Sequence, residues 1–288
     1  MVRVGRDHFL ANSTLDCRPG VTVCHSTDLV NWRIVGAAVT RPARCRRDGQ
    51  IGAVSFYAPT FHYAQGEFVL VCRNVAAGQG NFLITKDAPA GEWTDGVWLD
   101  DAGFDPSLLY NEGVWYYTRR TLDPRPDGYR GPVVQAILDI ATGELGVLHQ
   151  LTPGYGGYSS DDTERPHLCY VSDWYYPFSA DGGPWKSHTQ TCSRGRLSWG
   201  MFEPAPHNPM ITHRHRVGHP IQTLGHADLV DTPDGAWSVL SNGTRNLANG
   251  EFVGHHNLGC DTFLIPIDWQ DGWPVLGKGG TTELCVDA

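Results

Sequence analysis

The chain has 288 residues, a formal net charge of −9 and a sequence pI near 5.7. This acidic balance excludes proteins that bind nucleic acid through a broad basic surface, because such binding needs clustered lysine and arginine side chains. No apolar run is long enough to span a membrane, and the 34 Gly, 19 Pro and 11% aromatic residues favour short strands joined by many turns.

Five apolar segments repeat one pattern, in which a turn residue precedes a large aromatic by two places. Successive aromatics are 59, 47, 60 and 62 residues apart, and they are Phe9, Phe68, Trp115, Tyr175 and Trp237. The segments YAPTFHYAQGEF, DPSLLYNEGVW, ERPHLCYVSDWY and HADLVDTPDGAW each combine a short strand, a polar turn and an aromatic-rich strand. Each segment is therefore predicted to form a β-hairpin.

A hairpin that recurs at this spacing is larger than a solenoid unit and fits a four-stranded blade. We expect segments such as TVCHSTDLVNW and FLITKDAPAGEW to supply the outer strands. The sequence thus predicts an all-β fold, with a single five-bladed β-propeller domain over residues 1–288. The first blade is expected to lack the start of its inner strand, because counting back from Phe9 leads two or three places ahead of Met1.

The repeat is apolar, but its opening residue is not: four of the predicted inner strands open on Tyr57, Asp105, Glu164 and His226. Taken singly, each is better explained by turn chemistry or by a satisfied structural role than by a functional site. Their matching positions in different repeats favour a shared site, because the inner strands of a propeller line one central channel.

An Asp and a Glu that face one channel from neighbouring blades are the groups that glycoside hydrolysis requires. Glu164 is predicted to be the acid because its side chain reaches further, and Asp105 the anion that raises the proton affinity of Glu164. Arg245 offers a donor fork to sugar hydroxyls or forms a surface salt bridge. Tyr57 offers its ring or hydroxyl to a sugar or packs within its strand.

No cofactor is predicted from the residues themselves. The histidines at positions 213, 215, 219 and 226 have no carboxylate or thiolate among them at a zinc-ligand spacing. The eight cysteines form no C-x-x-C pair and indicate free thiols in a reducing compartment. With no signal peptide in view, we expect a cytoplasmic protein, although the N-terminus resembles a truncated one.

The chain resembles glycoside hydrolase family 43, in particular its β-xylosidases and α-L-arabinofuranosidases. The resemblance extends over nearly the whole length and is carried by the stretches VRVGRDHFLANSTLDCRPGV, HSTDLVNW, YAPTFHY, FDPSLLYNEGVWYY, ERPHL, HPIQTLGHADLV and DTFLIPIDWQDGWPVL. Their order and spacing together make the resemblance specific.

The resemblance implies a five-bladed propeller that hydrolyses with inversion, using an Asp base, a second Asp that tunes the acid, and a Glu acid. By motif, Asp105 matches the tuning Asp, Glu164 the acid, His226 the GHAD histidine and Arg245 the arginine that contacts substrate hydroxyls. Some relatives carry a cation on the propeller axis, so calcium near His226 is the one cofactor that the resemblance admits.

Three departures from the family pattern bear on activity. The family's base Asp precedes the R-V-G run, which starts here at residue 3, so the base is expected upstream of Met1. Tyr57 and Leu15 stand where relatives usually carry Trp and Phe. The C-terminal β-sandwich of many relatives is not expected in this chain.

The leading interpretation is an exo-acting glycosidase that releases xylose or arabinose from oligosaccharides derived from xylan or arabinoxylan, and that is impaired by the missing base. The alternative is a non-catalytic sugar-binding propeller. A propeller that binds other proteins ranks lowest, because it would present apolar rims rather than a channel of ionisable groups. The sequence indicates neither the preferred sugar nor the oligomeric state.

Overall fold

The computed structural model describes residues 1–15, 17, 19–41, 56–75, 80–125, 128–152, 163–183, 187–246 and 259–284. The chain divides into two compact units, one of Met1–Tyr129 with Val133–Leu151 and the other of Arg130–Pro132 with Thr152–Ala288. Regular secondary structure in the described residues consists of strands alone, so none of them lies in a helix that could cross a membrane. That both units form one domain stays a prediction.

The first unit contains three four-stranded sheets and a two-stranded ribbon. Its strands are β1 (Val2–Val4), β2 (Asp7–Asn12), β3 (Gly20–Ser26), β4 (Arg33–Val39), β5 (Phe56–Ala64), β6 (Glu67–Asn74), β7 (Gly80–Lys86), β8 (Val97–Asp100), β9 (Phe104–Asn111), β10 (Val114–Arg120), β11 (Asp123–Arg125), β12 (Gly128–Arg130), β13 (Val133–Ile137) and β14 (His149–Thr152). The sheets are ordered β1-β2-β3-β4, β5-β6-β7-β8 and β9-β10-β13-β14, and β11 pairs with β12.

The second unit contains two four-stranded sheets. Its strands are β15 (Glu164–Val171), β16 (Trp174–Asp181), β17 (Thr189–Arg194), β18 (Glu203–Pro204), β19 (Ile221–Asp231), β20 (Trp237–Arg245), β21 (Asp261–Gln270) and β22 (Trp273–Leu276). Each sheet follows chain order, and neighbouring strands are antiparallel.

The five sheets are the predicted blades. The four complete hairpins are β5-β6, β9-β10, β15-β16 and β19-β20, and the five repeat aromatics all lie in second strands, at Phe9, Phe68, Trp115, Tyr175 and Trp237. The predicted outer segments begin in β3 and β7. The fold is an all-β, five-bladed propeller, as the sequence predicts.

Three of the five repeat aromatics, Phe9, Phe68 and Trp115, pack against a ring of a neighbouring blade, whereas Tyr175 and Trp237 contact rings of their own blades. In the first unit the Phe9 ring meets the Phe68 ring edge to face at 5.2 Å between centroids, and Trp115 meets His62 of the preceding blade at 5.3 Å. Phe9 and Phe68 belong to one buried cluster and Trp115 to another. A large ring at this position therefore removes apolar surface of two blades from water, which stabilises by roughly 1.5–3 kcal/mol per fully buried side chain.

In the second unit, an arginine joins the two blades. The Arg194 guanidinium lies 4.4 Å from the Trp174 ring centroid and 4.0 Å from that of Trp273. The same guanidinium donates hydrogen bonds to the backbone oxygens of Asp271 and Gly272, at 3.1 and 2.9 Å. Arg194 on β17 thus holds the turn between β21 and β22 through both ring contacts and hydrogen bonds.

Replacing Arg194 with Ala is expected to lower the free energy of unfolding by about 2 kcal/mol, because it removes two partly desolvated cation–π contacts and the hydrogen bonds to the two turn carbonyls. Urea unfolding followed by tryptophan fluorescence measures the loss. The matched control is Lys278→Ala, which breaks only the exposed pair with Glu283 and should cost less than about 0.5 kcal/mol. Equal losses in the two variants would contradict the role given to Arg194.

His213 is fully buried and linked to two other segments of the second unit. Its Nδ1 donates to the Ile221 oxygen at 2.9 Å, and its Nε2 accepts from the Thr282 amide at 3.1 Å. This pairing requires the neutral ring, since a protonated Nε2 could not accept. Burial lowers the pKa of His213, and the neighbouring cationic groups act in the same direction.

Because the native pKa of His213 is lowered, the unfolded chain takes up this proton first as the pH falls below about 6.5. We therefore expect the contribution of His213 to stability to be complete at neutral pH and to be lost progressively below that value. His213→Gln, which does not titrate, should show a smaller fall in unfolding free energy between pH 7 and pH 5.5 than the parent protein. Parallel pH dependences would contradict this expectation.

Candidate active site

Four inner strands carry a two-residue β-bulge near the predicted site residues. In each bulge two residues oppose one residue of the neighbouring strand. The first of the two residues has a positive φ angle in every case: Ala58 (44°), Asp105 (51°), Arg165 (43°) and His226 (59°). Left-handed backbone at residues other than glycine is costly and is concentrated at functional sites, where surrounding structure holds it. Bulges of this kind re-aim side chains.

The bulges correct the predicted register of the site residues. Asp105 and His226 occupy the first bulge position, whereas Tyr57 and Glu164 come one residue before it. The four residues therefore fall in two adjacent positions rather than one. His226 also lies inside β19, which begins at Ile221, so it does not open its strand. An alignment on apolar residues misses the extra residue that a bulge inserts.

Asp105 is buried in the first unit, with 7% of its surface exposed. Its bulge, completed by Pro106, opposes Arg119 on β10. The Pro106 oxygen accepts a hydrogen bond of 2.9 Å from the Thr60 hydroxyl on the preceding blade. The backbone that carries the Asp105 carboxyl is thus fixed from two sides.

The backbone segments that carry Tyr57 and Leu15 pair with each other in the first unit. Leu15 forms an isolated β-bridge with Phe56, and the Phe56 amide donates to the Leu15 oxygen at 3.2 Å. The Ser13 hydroxyl donates to the Phe56 oxygen, which fixes the same segment. Tyr57 is 41% exposed and Leu15 is 55% exposed, so both present apolar surface to solvent.

Glu164 is partly buried at the start of β15 in the second unit, opposite Ala180. The residue after it, Arg165, donates from Nε to His167 Nε2 at 2.7 Å. His167 Nδ1 lies 3.5 Å from a carboxylate oxygen of Asp228 on β19. A chain of polar contacts therefore runs from β19 to the residue adjacent to Glu164.

His226 lies among cationic and imidazole groups of the second unit. Burial lowers its pKa far below the usual value, and Arg165, His188 and His167 lower it further. Its ring centroid is 6.4 Å from that of His188, whose Nδ1 is 2.8 Å from the Thr223 oxygen. The neutral ring is the form that this environment favours.

Gly225, directly before His226, is required by close packing. A Cβ atom at this position would lie 2.7 Å from two ring atoms of His188. The glycine therefore allows the His188 ring to lie against the bulge that carries His226. The bulge is also held from β17, because Gln190 Oε1 accepts from the Ala227 amide at 2.8 Å.

Arg245 is not part of the His226 group. It ends β20 opposite Ile221, and its Nε donates to Asp261 at 2.8 Å. Its guanidinium lies 4.8 Å from the Phe263 ring centroid, and 60% of its side chain is exposed. The structure thus contains the surface ion pair that the sequence offered as one of two explanations.

Sequence reasoning missed His167 and His188, which lie beside the predicted site, and it missed the positioning role of Arg165. The first and third lie in the ERPH motif, but the motif does not reveal that Arg165 bonds to His167. His188 lies in no recognisable motif. Within the described residues, no group of three or more His, Cys, Asp or Glu side chains could hold a metal ion. Calcium near His226 stays a prediction.

Six cysteines fall within the described residues, at positions 17, 24, 72, 169, 192 and 260, and all six are free thiols. Cys45 and Cys285, which also entered the prediction of a reducing compartment, lie outside the described residues.

Comparison with known proteins decides the family. The model of glycosyl hydrolases family 43 matches residues 1–274. The chain belongs to this family. It is 37% identical over 286 residues to a non-reducing end alpha-L-arabinofuranosidase of Bacteroides ovatus, covering 98% of this chain and 51% of the relative. It is 32% identical over 305 residues to a xylan 1,3-beta-xylosidase of a Vibrio species, covering 100% and 57%.

Solved structures in glycosyl hydrolase family 43 share the fold. A xylan beta-1,4-xylosidase from Bacillus halodurans matches with a TM-score of 0.89 and 29% identity, over 98% of this chain and 55% of that one. The chain therefore spans about half the length of the relatives that it matches.

Proposed function

We propose that this chain is the propeller of an inverting, exo-acting glycosidase that releases xylose or arabinose from xylan-derived or arabinoxylan-derived oligosaccharides. Glu164 is the acid and Asp105 is the anion that tunes it. The observation that carries the proposal is that both carboxyl groups belong to bulged starts of inner strands, Asp105 buried on strained backbone and Glu164 partly buried beside its bulge.

In the proposed reaction, Glu164 gives its proton to the glycosidic oxygen while the bond from that oxygen to the anomeric carbon breaks. A water attacks the anomeric carbon from the opposite face of the sugar and passes its proton to a base. Acid and base carboxyl groups of inverting enzymes are about 6.5–9.5 Å apart, which leaves room for this water. The negative charge of Asp105 keeps Glu164 protonated at neutral pH.

The base in this proposal is an Asp in an Asp-Pro-Ser segment ahead of the R-V-G run. The 288 residues contain this tripeptide once, at 105–107, where it already supplies the tuning anion. The second candidate function is a propeller that binds sugar without hydrolysing it. Saturable binding of xylose or xylobiose in calorimetry, with no turnover even after the upstream segment is added, would favour that binder.

For the sugar itself, we propose contacts from Tyr57, Leu15, His226 and Arg245. Tyr57 and Leu15 are both exposed and lie on backbone segments that pair, and each offers apolar surface to one face of a pentose ring. The neutral His226 can donate or accept a hydrogen bond without adding charge. In this proposal, Arg245 exchanges part of its pairing with Asp261 for sugar hydroxyls. The names of the relatives include both an arabinofuranosidase and xylosidases, so both sugars are proposed.

The stereochemistry of the first product tests this function directly. Proton NMR during hydrolysis of a β-xyloside should show α-xylose first, followed by slow mutarotation, and xylo-oligosaccharides should lose one terminal sugar at a time. The same measurement on an α-L-arabinofuranoside identifies the preferred sugar. A first product that retains the β configuration, or release of internal fragments, would contradict the proposal.

A further inference from the structure

The short connector between β8 and β9, residues 101–103, leads directly to the strand that carries Asp105. Side chains from two other strands bind its backbone, and a side chain from a third strand binds Asp100, the residue directly before it. These side chains are Asn81 on β7, Arg73 on β6 and Arg119 on β10, and together with Asp100 we call them the connector clamp. All lie in the first unit.

Asp100 is the centre of the connector clamp. Arg119 Nε donates to one of its carboxylate oxygens at 2.6 Å, and Asn81 Nδ2 donates to the other at 2.7 Å. The Tyr117 hydroxyl lies 3.4 Å from the second oxygen. Side-chain exposure is 4% for Arg119 and 17% for Asp100, so water screens this charge-assisted contact little.

The clamp also binds the connector backbone. Both terminal nitrogens of Arg73 donate to the Asp101 oxygen at 3.2 Å, and Asn81 Nδ2 donates to the Ala102 oxygen at 3.0 Å. The Arg73 guanidinium lies 5.2 Å from the centroid of the Phe104 ring, the residue immediately before Asp105. Two successive peptide groups and the next side chain are thus held by fixed donors.

Gly103 allows the connector to approach β10. It has a φ of +70°, and a Cβ atom there would lie 1.9 Å from the Arg120 oxygen and 2.8 Å from an Arg119 nitrogen. The connector and β10 therefore lie so close that no side chain would fit at position 103. Arg119 is also the single residue that opposes the bulge of Asp105 and Pro106, so one residue meets both the connector and the bulge.

Burial of the clamp is unusual for so many polar groups. Arg73 is 7% exposed and Arg119 is 4% exposed. Burial lowers the pKa of Arg73, while the Asp100 charge acts in the opposite direction. A buried charge network requires nearly complete pairing to be tolerated, and it fixes one arrangement of the groups that it joins. Because the clamp lies beside Asp105, its rigidity also holds the backbone that carries Asp105.

We propose that Asp100, Arg119 and Arg73 are positioning residues that set the place of the Asp105 carboxyl in the reaction. This inference rests on the proposed function, in which Asp105 keeps Glu164 protonated. The clamp touches no substrate in this account. It acts through the backbone of 101–105, and its loss would move the Asp105 carboxyl relative to the acid.

The test uses Asp100→Asn, which keeps the side-chain shape but removes the charge that pairs with Arg119. Arg73→Lys, which keeps the charge but loses the two-pronged contact with the Asp101 oxygen, is the milder second variant. Glu92→Gln is the matched control, since it removes one charge of an exposed ion pair with Arg41 in the same unit. Asp105→Asn provides the reference for complete loss of the tuning anion.

Two readouts separate positioning from general destabilisation. The first is the apparent pKa of Glu164, followed by NMR of the protein labelled with carbon-13 at the glutamate carboxyl carbons and assigned with Glu164→Gln. Moving a negative charge away makes Glu164 easier to deprotonate, so its apparent pKa should fall. The second is the division of any rate loss between kcat and KM on an aryl xyloside.

We expect both clamp variants to lower the apparent pKa of Glu164, by less than Asp105→Asn does, and Asp100→Asn to lower kcat by about 10- to 100-fold while KM changes little. If near-UV circular dichroism shows that Asp100→Asn does not fold, Arg73→Lys tests the positioning role in its place. If the apparent pKa of Glu164 is unchanged in the clamp variants but altered in Asp105→Asn, the positioning role alone is overturned. Titration unchanged in Asp105→Asn would overturn the proposed function itself.

Discussion

Replacing Glu164 with Gln should lower kcat for an alkyl xyloside by about 100- to 10,000-fold, the usual size of a general-acid contribution. The amide keeps the size of the side chain but has no proton to give to the leaving oxygen. The effect should depend on the leaving group. The dinitrophenolate leaving group departs without needing a proton. Hydrolysis of a dinitrophenyl xyloside should therefore slow far less than hydrolysis of the alkyl xyloside.

The control for this experiment is Glu67→Gln, which makes the same chemical change at the exposed glutamate that begins β6. It should leave both rates unchanged. The pH dependence gives a second check, because the loss of activity at high pH that reports a protonated acid should disappear in Glu164→Gln. Equal losses on the two substrates would show that Glu164 supports the site without donating a proton.

The second large effect concerns the base. We compare a polypeptide of residues 1–288 with one in which Asp-Pro-Ser and its preceding residues stand before Met1. The shorter polypeptide should hydrolyse aryl xylosides about 100- to 10,000-fold more slowly, because in it water must attack without a base. Strand β1, Val2–Val4, pairs with β2 in the register Val2↔Phe9. The added segment would extend this inner strand as Asp105-Pro106-Ser107 does in the third blade.

A matched extension with Asn-Pro-Ser separates the base from the extra length of strand. It should restore stability but not activity. Sodium azide offers an independent check on the unextended polypeptide, since azide can attack the anomeric carbon without a base and should yield the glycosyl azide of inverted configuration. The hypothesis fails if the Asp and Asn extensions hydrolyse equally well.

The blades could be predicted because their determinants are local. A polar turn between two apolar strands specifies a hairpin, and in the first unit the large aromatic after the turn packs across to the neighbouring blade, as Phe9 does on Phe68. Five repeats of this pattern therefore predict five blades. Family resemblance then indicated which polar residues to follow.

The bulges and the clamp could not be predicted because they depend on pairing between strands. Whether Asp105 lies opposite one residue or between two is decided by the register of β9 on β10, which no single segment encodes. Likewise Asp100 and Arg119 are 19 residues apart in the chain, and only folding brings their side chains to 2.6 Å. His188 lies against Gly225 for the same reason.

The central claim is that Asp105 and Glu164 act on one sugar. The most direct measurement is a crystal structure of the protein with bound xylose or arabinofuranose. The account predicts the Glu164 carboxyl within hydrogen-bonding distance of the anomeric oxygen, about 2.6–3.2 Å, and the Asp105 carboxyl lining the same cavity. A sugar bound with either carboxyl turned into a different cavity would contradict it.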